Sequence, residues 1–372
     1  MMDQPKLWKI IDRVLKRKWT DERIEKYIGE HYSSWLLYSQ VEDIRTNAAS
    51  GGVITTLLYY LLEKGEIDGA LVMTSGVEAN QVFTKYEIIT SKEDLMRSQG
   101  SKYINSNYSR DAVPLIRSFE GRLGVVLLPC NSWVVDRLMK NDPEIADKIR
   151  LRITLFCGHV SDPGLTRIIV ERHKKPGVSL VDFRYREGYW RGKTRIDLDD
   201  GTTIIKPFSV FSDYQNLYYY SAHKCLNCHD HTGYASDIAI GDVWLQEMKG
   251  HPIKHNAVVV RNSKAHAWLT AAIDEGYITG RAVPIRKIAD AQSRSLPQHY
   301  NVTARKKAAR LFGIKLSDPV DEKVRVVDFL VALVIIFNHQ LTNSPKGRAI
   351  LRRIPKRVLR LYLYALKGLQ IW

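Results

Sequence analysis

Cysteine is scarce in this sequence, with four residues among 372. So few cysteines cannot build the dense disulfide framework on which small secreted domains depend. The N-terminal stretch also lacks a long apolar run before a small-residue cleavage site, so it shows no secretory signal pattern. Together these features predict a reducing, cytoplasmic location. With 45% hydrophobic and 26% charged residues, the composition is that of a globular protein with a substantial core.

Acidic residues are scarce towards the C-terminus. The net charge is +16, and residues 302–372 contain 15 Lys or Arg against four Asp or Glu, a net charge of +11. The other 301 residues therefore carry only +5. We do not expect nucleic acid as the partner of the whole protein, because its larger part is close to neutral. The distribution instead predicts that an anionic surface meets the C-terminal region.

The four cysteines have a spacing that suits metal ligands. Cys225 and Cys228 form a Cys-Leu-Asn-Cys pair, while Cys130 and Cys157 each follow a short hydrophobic run. Thiolates are the ligands of iron–sulfur clusters and of structural zinc, and four sulfurs from three segments suit either group. The alternative is two buried structural thiols and a chance pair, because free cysteine is often buried.

Histidines near the Cys-Leu-Asn-Cys pair make a local zinc site a competing hypothesis. His223, His229 and His231 surround the pair, and two of them could complete a site of two cysteines and two histidines. Common zinc fingers separate their ligand pairs by about a dozen residues, and the separations here are shorter. This difference favours a cluster that recruits Cys130 and Cys157. A Cys–His nucleophile based on either of those residues has no supporting signature.

Hydrophobic runs predict an α/β (α+β) fold, in which a layered βαβ body is followed by an antiparallel section and a helical tail. The strand-like runs are 70–73, 124–128, 151–156, 181–186, 194–198, 202–206, 237–244 and 257–260. The helical patterns are 113–119, 133–139, 165–174 and 265–275. Period-two alternation and an Asp-Asp-Gly turn make the three runs between 181 and 206 antiparallel.

Four segments follow from this organisation. Residues 1–40 form a helical segment, with Trp8, Ile11, Val14 and Leu15 at helical spacing. Residues 41–176 form an α/β part, residues 177–300 a mixed α/β part that carries the cysteine pair, and residues 301–372 a basic helical tail.

Two loops of small residues are candidates for phosphate binding. Ser50, Gly51 and Gly52 precede a predicted helix, and their free amides suit a phosphate group. The stretch Gln99–Tyr103 adds a second Gly/Ser loop with Lys102. A plain N-cap with a tight turn and a solvated loop are the respective alternatives. Asp242 follows a strand, where a carboxylate is a candidate ligand or a turn former.

Seven short stretches, in order over about residues 45–270, resemble the coenzyme F420 hydrogenase/dehydrogenase beta-subunit family. They are Ala49-Ser-Gly-Gly-Val53, Glu66-Ile-Asp-Gly69, Gln99-Gly-Ser-Lys-Tyr103, Leu128-Pro-Cys130, Phe156-Cys-Gly158, Lys224-Cys-Leu-Asn-Cys228 and Ala235-Ser-Asp-Ile-Ala-Ile-Gly-Asp-Val-Trp244. The resemblance implies a flavin, FAD or FMN, beside one 4Fe-4S cluster. It also implies electron transfer between a reduced deazaflavin coenzyme or ferredoxin and a substrate or partner subunit.

Site residues follow from the same resemblance. Ser50, Gly51, Gly52, Ser101, Lys102 and Tyr103 would bind the flavin within segment 41–176, and Cys130, Cys157, Cys225 and Cys228 would bind the cluster. Lys102, His159 and Asp242 are candidates for catalytic proton transfer. Two departures stand out: Asn131 replaces the Gln usual after the proline–cysteine pair, and the extra ferredoxin-like cysteines of many relatives are missing.

Three functional hypotheses remain open from the sequence. The first is a flavin and iron–sulfur oxidoreductase, with envelope polysaccharide or lipid-linked sugar synthesis as its substrate class. The second is an electron-relay subunit of a larger complex, and the third is a zinc-stabilised scaffold that is not catalytic. A homo-oligomer or a partner subunit is compatible with each hypothesis.

The tail predicts a contact with a membrane surface. Its apolar run at 326–337 is 12 residues long, too short to span a bilayer. Residues 348–372 mix basic with apolar side chains, as helices on anionic membranes do. We therefore expect peripheral attachment to the inner membrane face. The alternative is a helical hairpin packed on the body or on a sister subunit.

Overall fold

The computed structural model describes residues 19–188, 192–248, 250–293, 295–296, 299 and 301–371. The helical pattern predicted from Trp8, Ile11, Val14 and Leu15 lies outside these residues. The first described helix, α1 (Asp21–Ile28), begins after Thr20. The hydroxyl of Thr20 accepts a hydrogen bond from the Arg23 amide and so caps the helix.

An eight-stranded mixed sheet forms the centre of the molecule. Its strands are β1 (Ser33–Ser39), β2 (Gly69–Glu78), β3 (Gln81–Ile89), β4 (Leu123–Leu127), β5 (Ile149–Leu155), β9 (Ile238–Asp242), β10 (Asn256–Val260) and β11 (Ile278–Ala282). The strand order is β11-β1-β10-β9-β5-β4-β2-β3. Strands β2, β4, β5 and β9 form a parallel block, and the remaining four pair antiparallel at its two sides.

The predicted central parallel strand at 124–128 is confirmed as β4. It lies between β2 and β5, and its Leu123, Val125 and Leu127 are buried. A strand of a parallel sheet is covered on both faces, so it needs apolar side chains in succession. This run provides them.

The prediction of a helical segment over residues 1–40 is wrong at its C-terminal end, because 33–39 form β1. This strand lies between β10 and β11, and both Leu36 and Leu37 are buried. A strand with both faces covered loses the period-two alternation that would distinguish it from a helix. The sequence around Trp35 therefore carries no clear strand signal.

Three more strands form a small antiparallel sheet, as the alternation predicts. They are β6 (Leu180–Glu187), β7 (Lys193–Leu198) and β8 (Thr203–Pro207). Gly201 closes the turn between β7 and β8 at φ +78°, a conformation that glycine adopts without a Cβ clash. Strands β9 and β10 then return to the large sheet, which therefore draws on both sides of the predicted boundary at 176.

Helices connect the strands and form the C-terminal region. After α1 they are α2 (Glu42–Asn47), α3 (Val53–Glu63), α4 (Tyr108–Asp111), α5 (Val113–Ser118), α6 (Pro129–Asn141), α7 (Pro143–Lys148), α8 (Pro163–Glu171), α9 (Ser209–Gln215), α10 (His223–Leu226), α11 (Ser263–Asp274), α12 (Ile285–Ala291), α13 (Val302–Arg310), α14 (Val326–Asn343), α15 (Pro345–Arg353) and α16 (Lys356–Ile371). Short 3-10 helices occupy Asp94–Ser98 and Gln246–Met248.

The apolar helix of the tail is longer than predicted. Instead of 12 residues, α14 has 18, because the polar residues after Phe337 continue the helix to Asn343. By length and composition it is the one helix among the described residues that could cross a membrane. Its Val331, Ile335 and Ile336 are nevertheless buried in the core that the small sheet and α8 also share. The helix therefore packs on the body of the protein.

Candidate functional site

Three segments bring the four cysteines together. Cys130 lies in the first turn of α6, Cys157 follows β5, and Cys225 and Cys228 lie in and just after α10. Burial raises the pKa of Cys157 well above its ordinary value, and the nearby Cys225, Cys130 and Cys228 raise it further. The four thiols are thus within electrostatic reach of one another. They are the four that the spacing selected.

The thiols are neutral in the protein without a metal. Burial raises the pKa of Cys225 to about 11 and also raises that of Cys130 and Cys228. A thiol must lose its proton to bind a metal, so a cationic group at this site would exchange for protons. Four neutral thiols that meet from three segments are a donor set for a thiophilic metal group.

The spacing of the donors favours a cluster over a single ion. Within the described part of the chain, no three His, Cys, Asp or Glu side chains are placed to hold one metal ion. One zinc ion draws all its ligands to about 2.3 Å from a single point. In an iron–sulfur cluster each thiolate binds its own iron, so its four sulfurs lie farther apart. The residues present fit the larger group better.

The loop after Cys228 is held by the buried carboxylate of Asp230. This carboxylate accepts hydrogen bonds from the three successive amides at 232–234, at 2.7–3.1 Å. It also accepts one from Trp133 Nε1 at 3.0 Å, which ties the loop to α6. The segment that carries Cys228 is therefore fixed against the helix that carries Cys130.

The buried residue Arg305 supports the cysteine pair from α13. It is 1% exposed, its Nε donates to the Leu226 carbonyl at 2.8 Å, and its Nη2 donates to the Cys228 carbonyl at 2.9 Å. Burial lowers the pKa of this guanidinium. Arg305 has no signal in the sequence, because a single arginine in a Lys- and Arg-rich helix looks like a solvated residue.

A second group of polar residues lies at the carboxyl end of β9. There Arg186 Nη1 donates to Asp242 Oδ2 at 2.6 Å, and the guanidinium lies over the rings of Phe208 and Trp244. Burial opposes the charge of Arg186, yet Asp242 and Tyr103 raise its pKa overall. Arg186 thus connects Asp242 with the predicted loop at Gln99–Tyr103.

These residues line an open pocket that also includes Ser50 and Ala49. Lys254 and His255 complete its polar wall, and Trp244 supplies an aromatic surface. Burial, followed by the nearby Arg186, lowers the pKa of Lys254 to about 8. The pocket therefore combines two basic groups, one carboxylate and an indole ring. Such a lining suits an anionic ligand that carries a planar ring.

Sequence patterns missed Arg186 for a structural reason. Strict alternation along β6 buries Phe183 and Tyr185 and would expose Arg186. A register shift between Arg184 and Glu187 interrupts the pairing with β7, and Arg186 is buried as well. A bulge re-aims a side chain in this way, and its position carries no periodic signal.

The predicted Ser50-Gly51-Gly52 loop has partners within the protein. Ser50 Oγ donates to the His255 carbonyl at 2.9 Å. A Cβ on Gly51 would lie 2.7 Å from both the Asn256 amide nitrogen and the Leu37 carbonyl oxygen. Gly51 is therefore needed for close packing of the chain against β1 and β10. The loop adjoins the pocket, but its glycine serves protein packing.

The predicted Gln99–Tyr103 loop places its lysine against the backbone. Lys102 Nζ donates to the carbonyls of Ser98, Gln99 and Gly100, and burial lowers its pKa to about 7. Tyr103 packs instead into the aromatic cluster of the small sheet and α9, beside Phe208 and Phe211. Ser101 is half-buried in the same loop. The flavin contacts expected of these residues stay predictions.

The remaining candidates are near the thiols. His159 stacks on Tyr218 with ring centroids 4.4 Å apart, and burial lowers its pKa to about 4. Asn131 is buried beside Cys130, whose thiol donates to Asn131 Oδ1 at 3.6 Å. Of the three catalytic candidates, Asp242 lines the pocket, Lys102 lies on its own loop and His159 lies behind Cys157. They stay predictions.

A hydrogen-bonded bridge connects the cysteines with the pocket. His231 Nδ1 lies 3.0 Å from the Cys157 carbonyl oxygen, and His231 Nε2 lies 3.0 Å from Gln292 Oε1. Gln292 Nε2 in turn donates to the Asp242 carbonyl at 2.6 Å. Both His231 and Gln292 are buried. Neither the predicted zinc role of His231 nor any sequence pattern pointed to this bridge.

The fold and these two sites define an α/β protein in which a four-thiol cluster lies beside a basic, aromatic pocket. The family model "Coenzyme F420 hydrogenase/dehydrogenase, beta subunit" matches the chain twice, with its N-terminal part over residues 35–110 and its C-terminal part over residues 120–284. The chain belongs to this family of oxidoreductase subunits, as its seven short stretches predicted.

Relatives within the family are distant in sequence. An uncharacterised protein of Methanocaldococcus jannaschii is 28% identical over 63% of this chain, and the match spans 61% of that protein's length. The coenzyme F420 hydrogenase subunit beta of Methanosarcina barkeri is 24% identical over 68% of this chain and 82% of its own length. The F420-dependent formate dehydrogenase 1 subunit beta of Methanococcus maripaludis is 26% identical over 67% of this chain and 62% of its own.

A solved structure has the same fold. A chain of the F420-reducing NiFe hydrogenase complex from Methanosarcina barkeri superposes with a TM-score of 0.58 at 22% sequence identity. The match covers 79% of this chain and 98% of that one. This likeness confirms the predicted α/β architecture with its antiparallel section and helical tail.

Proposed function

We propose that this protein is a flavin- and 4Fe-4S-dependent oxidoreductase subunit that passes electrons between a reduced coenzyme and a substrate or partner protein. The observation that carries the proposal is the bridge from the Cys157 carbonyl through His231 and Gln292 to Asp242. It joins a four-thiol donor set to a pocket suited to an anionic, ring-containing ligand. Family membership supports the same reaction class.

The residues of the pocket would bind the flavin and orient it. Arg186 and Lys254 supply positive charge for phosphate, and Trp244 offers a face for ring stacking. When bound, a flavin would supply hydride exchange on one side and single-electron exchange on the other. Asp242 would hold Arg186 in place through their 2.6 Å ion pair.

Cys130, Cys157, Cys225 and Cys228 would bind the cluster. A 4Fe-4S cluster would supply one-electron transfer at a potential that the surrounding hydrogen bonds and burial set. Arg305 and Asp230 would hold the two loops around it, through the backbone contacts of Cys228 and of residues 232–234. The electron-relay alternative uses the same two groups and differs only in what accepts the electrons.

A deazaflavin coenzyme or ferredoxin is the proposed electron donor. Support comes from the names of relatives, which include the F420-dependent formate dehydrogenase subunit and a coenzyme F420-dependent sulfite reductase. These names describe those proteins, and they extend to this chain only as a proposal. The envelope-polysaccharide substrate class stays a prediction that no described residue tests.

The test is anaerobic purification of the full chain followed by iron, sulfide, zinc and flavin analysis. We expect a brown protein with about four irons and one flavin per chain. Cys130→Ser and Cys157→Ser should each lose most of the iron, because each removes one of four thiolate ligands. A colourless zinc protein would contradict the proposal.

A control separates the cluster from a local zinc site. His223 is exposed beside the cysteine pair, so His223→Ala should leave iron and fold unchanged. If His223→Ala lost the metal while Cys130→Ser kept it, the local site of two cysteines and two histidines would be the correct one. Near-native far-UV circular dichroism of each variant would exclude loss of metal through unfolding.

A further inference from the structure

The C-terminal helix α16 is apolar on two opposite faces. Its inner face buries Leu359, Leu363 and Leu366 against the body of the protein. Its outer face presents Leu361, which is 71% exposed, and Tyr364, which is 68% exposed, together with Val358 one turn earlier. A helix on a soluble surface normally shows a polar outer face. The outer face of α16 therefore has the composition of a surface that something apolar covers.

The neighbouring helix α14 has a second exposed apolar stripe. Val326, Leu330 and Phe337 are exposed at spacings of four and seven residues, so they lie along one side of the helix. The opposite side contains the buried Val331 and Ile335. Because α14 packs against both α15 and α16, the exposed stripes belong to one helical unit.

The charge of this unit is of one sign. Residues 345–372 contain eight Lys or Arg and no Asp or Glu. Ion pairs with the body hold two of them, Arg352 to Glu171 at 3.2 Å and Arg360 to Asp213 at 3.1 Å. Lys346, Arg353, Lys356 and Arg357 are exposed around the outer apolar side chains. Apolar groups rimmed by bases are complementary to a layer of lipid with anionic headgroups.

The contacts of α14 decide between lying on a membrane and crossing it. Asn338 Nδ2 donates to the Leu217 carbonyl at 2.8 Å, and Thr342 Oγ1 accepts from the Tyr220 amide at 2.9 Å. His339 Nδ1 lies 3.0 Å from Ser221 Oγ. Insertion across a bilayer would break all three contacts and expose the core that α14 covers. Attachment through the exposed stripe breaks none of them.

We propose that α14–α16 form a membrane-docking surface that binds anionic phospholipid bilayers peripherally. The exposed apolar side chains of α14 and α16 enter the interfacial layer, and the bases of α15 and α16 contact the headgroups. The pocket and the thiols remain on the aqueous side, in a body that the docking helices do not leave. This proposal does not depend on the identity of the cofactors.

The experiment is flotation of the full-length protein with phospholipid vesicles. Phosphatidylcholine vesicles with and without phosphatidylglycerol are compared at low and at high ionic strength. We expect flotation with the anionic vesicles at low salt and at least about tenfold less with neutral vesicles. High salt should reduce the bound fraction, because screening weakens the headgroup contacts.

Surface variants test the two parts of the docking surface without opening the core. Val358→Asp with Leu361→Asp changes exposed apolar side chains and should abolish flotation. The matched control is Val181→Asp with Ile205→Asp, which changes similarly exposed apolar residues on the small sheet and should float normally. The triple change Arg353→Gln, Lys356→Gln and Arg357→Gln should also release the protein. Its control neutralises three exposed bases of the body, Lys140, Lys175 and Arg184.

Three outcomes would overturn the proposal. The first is equal flotation with neutral and anionic vesicles, and the second is full flotation of the Val358→Asp/Leu361→Asp variant. The third is a wild-type protein that does not float but elutes as an oligomer on gel filtration, while that variant elutes as a monomer. The outer face would then be a contact between protein chains.

Discussion

Lys254 lies in the pocket among charges of both signs. It is near Arg186 and Asp242, and its Nζ donates to the Ala48 carbonyl. Burial and Arg186 lower its pKa to about 8, so the ammonium is charged below that pH and loses its proton above it. An anionic ligand in the pocket gains from the charged form only. Affinity for such a ligand should therefore fall as the pH passes about 8.

We expect flavin binding by the apoprotein to weaken from about pH 7 to about pH 9.5, and Lys254→Met to remove most of that dependence. At about pH 7 the variant should bind roughly tenfold more weakly, because one charge-assisted contact is lost. The measurement is quenching of flavin fluorescence across this pH range. Lys64→Met, at the exposed end of α3, is the matched control and should follow the wild type. An unchanged slope in Lys254→Met would assign the titration to another group.

The cysteines show what residue spacing can predict. Cys225 and Cys228 are close in sequence, and Cys130 and Cys157 each end an apolar run, so chemistry and position agree. Arg186 and Lys254 had no such signal. Their importance comes from a bulge in β6 and from the approach of two distant segments, which only the folded chain reveals.

Helix α14 holds the backbone segment that leads to the cysteine pair. Within this segment Tyr218 has φ +62° and Tyr220 has φ +58°, a conformation that costs a bulky residue on the order of 1–2 kcal/mol. Thr342 Oγ1 accepts from the Tyr220 amide, and Asn338 donates to the Leu217 carbonyl. The tail thereby stabilises a strained segment that lies just before Cys225.

Thr342→Val should lower the free energy of unfolding by about 1–3 kcal/mol, because a buried backbone amide loses its acceptor. Urea unfolding followed by circular dichroism measures the change, and iron content should fall in parallel. Gln340→Ala, on an outer position of the same helix, should stay within about 0.5 kcal/mol of the wild type. A Thr342→Val protein with unchanged stability would show that the segment holds its conformation without the tail.

The bridge between the large sheet and α12 makes a separate prediction. Gln292→Met should lower the free energy of unfolding by roughly 1–3 kcal/mol, since His231 Nε2 and the Asp242 carbonyl both lose their buried partner. Chemical unfolding of the apoprotein measures it independently of any cofactor. Gln246→Met, at an exposed glutamine, is the matched control. Equal stability of the two variants would mean that water replaces the amide.

At the scale of the whole molecule, the parallel block was more predictable than its flanks. β4 and β5 are continuous apolar runs that end at a cysteine, and the small sheet alternates clearly. The order of the large sheet could not be predicted, because β1 joins β10 and β11 from the far end of the chain. Such pairing depends on long-range packing, which leaves no local period in the sequence.

The tail tests whether residues 301–372 form an independent unit, as the predicted segments imply. One hydrophobic core contains Val331 and Ile336 of α14 and Leu363 of α16 together with Phe183 of β6 and Phe211 of α9. Arg172 Nη2 also donates to the Leu351 and Arg352 carbonyls. Removal of the chain after Asp318 would therefore expose the apolar side of the small sheet.

We expect this truncated protein to be insoluble or to lack a cooperative unfolding transition, because large apolar areas of two elements lose their cover at about 25 cal/mol per Å². Soluble expression and differential scanning calorimetry measure the outcome. The full-length Val358→Asp/Leu361→Asp variant is the control, since it changes only exposed positions and should unfold like the wild type. A truncated protein that stays soluble and melts cooperatively would show that the body folds alone. The tail would then be an accessory unit, and its contacts with the segment before Cys225 would be dispensable for the fold.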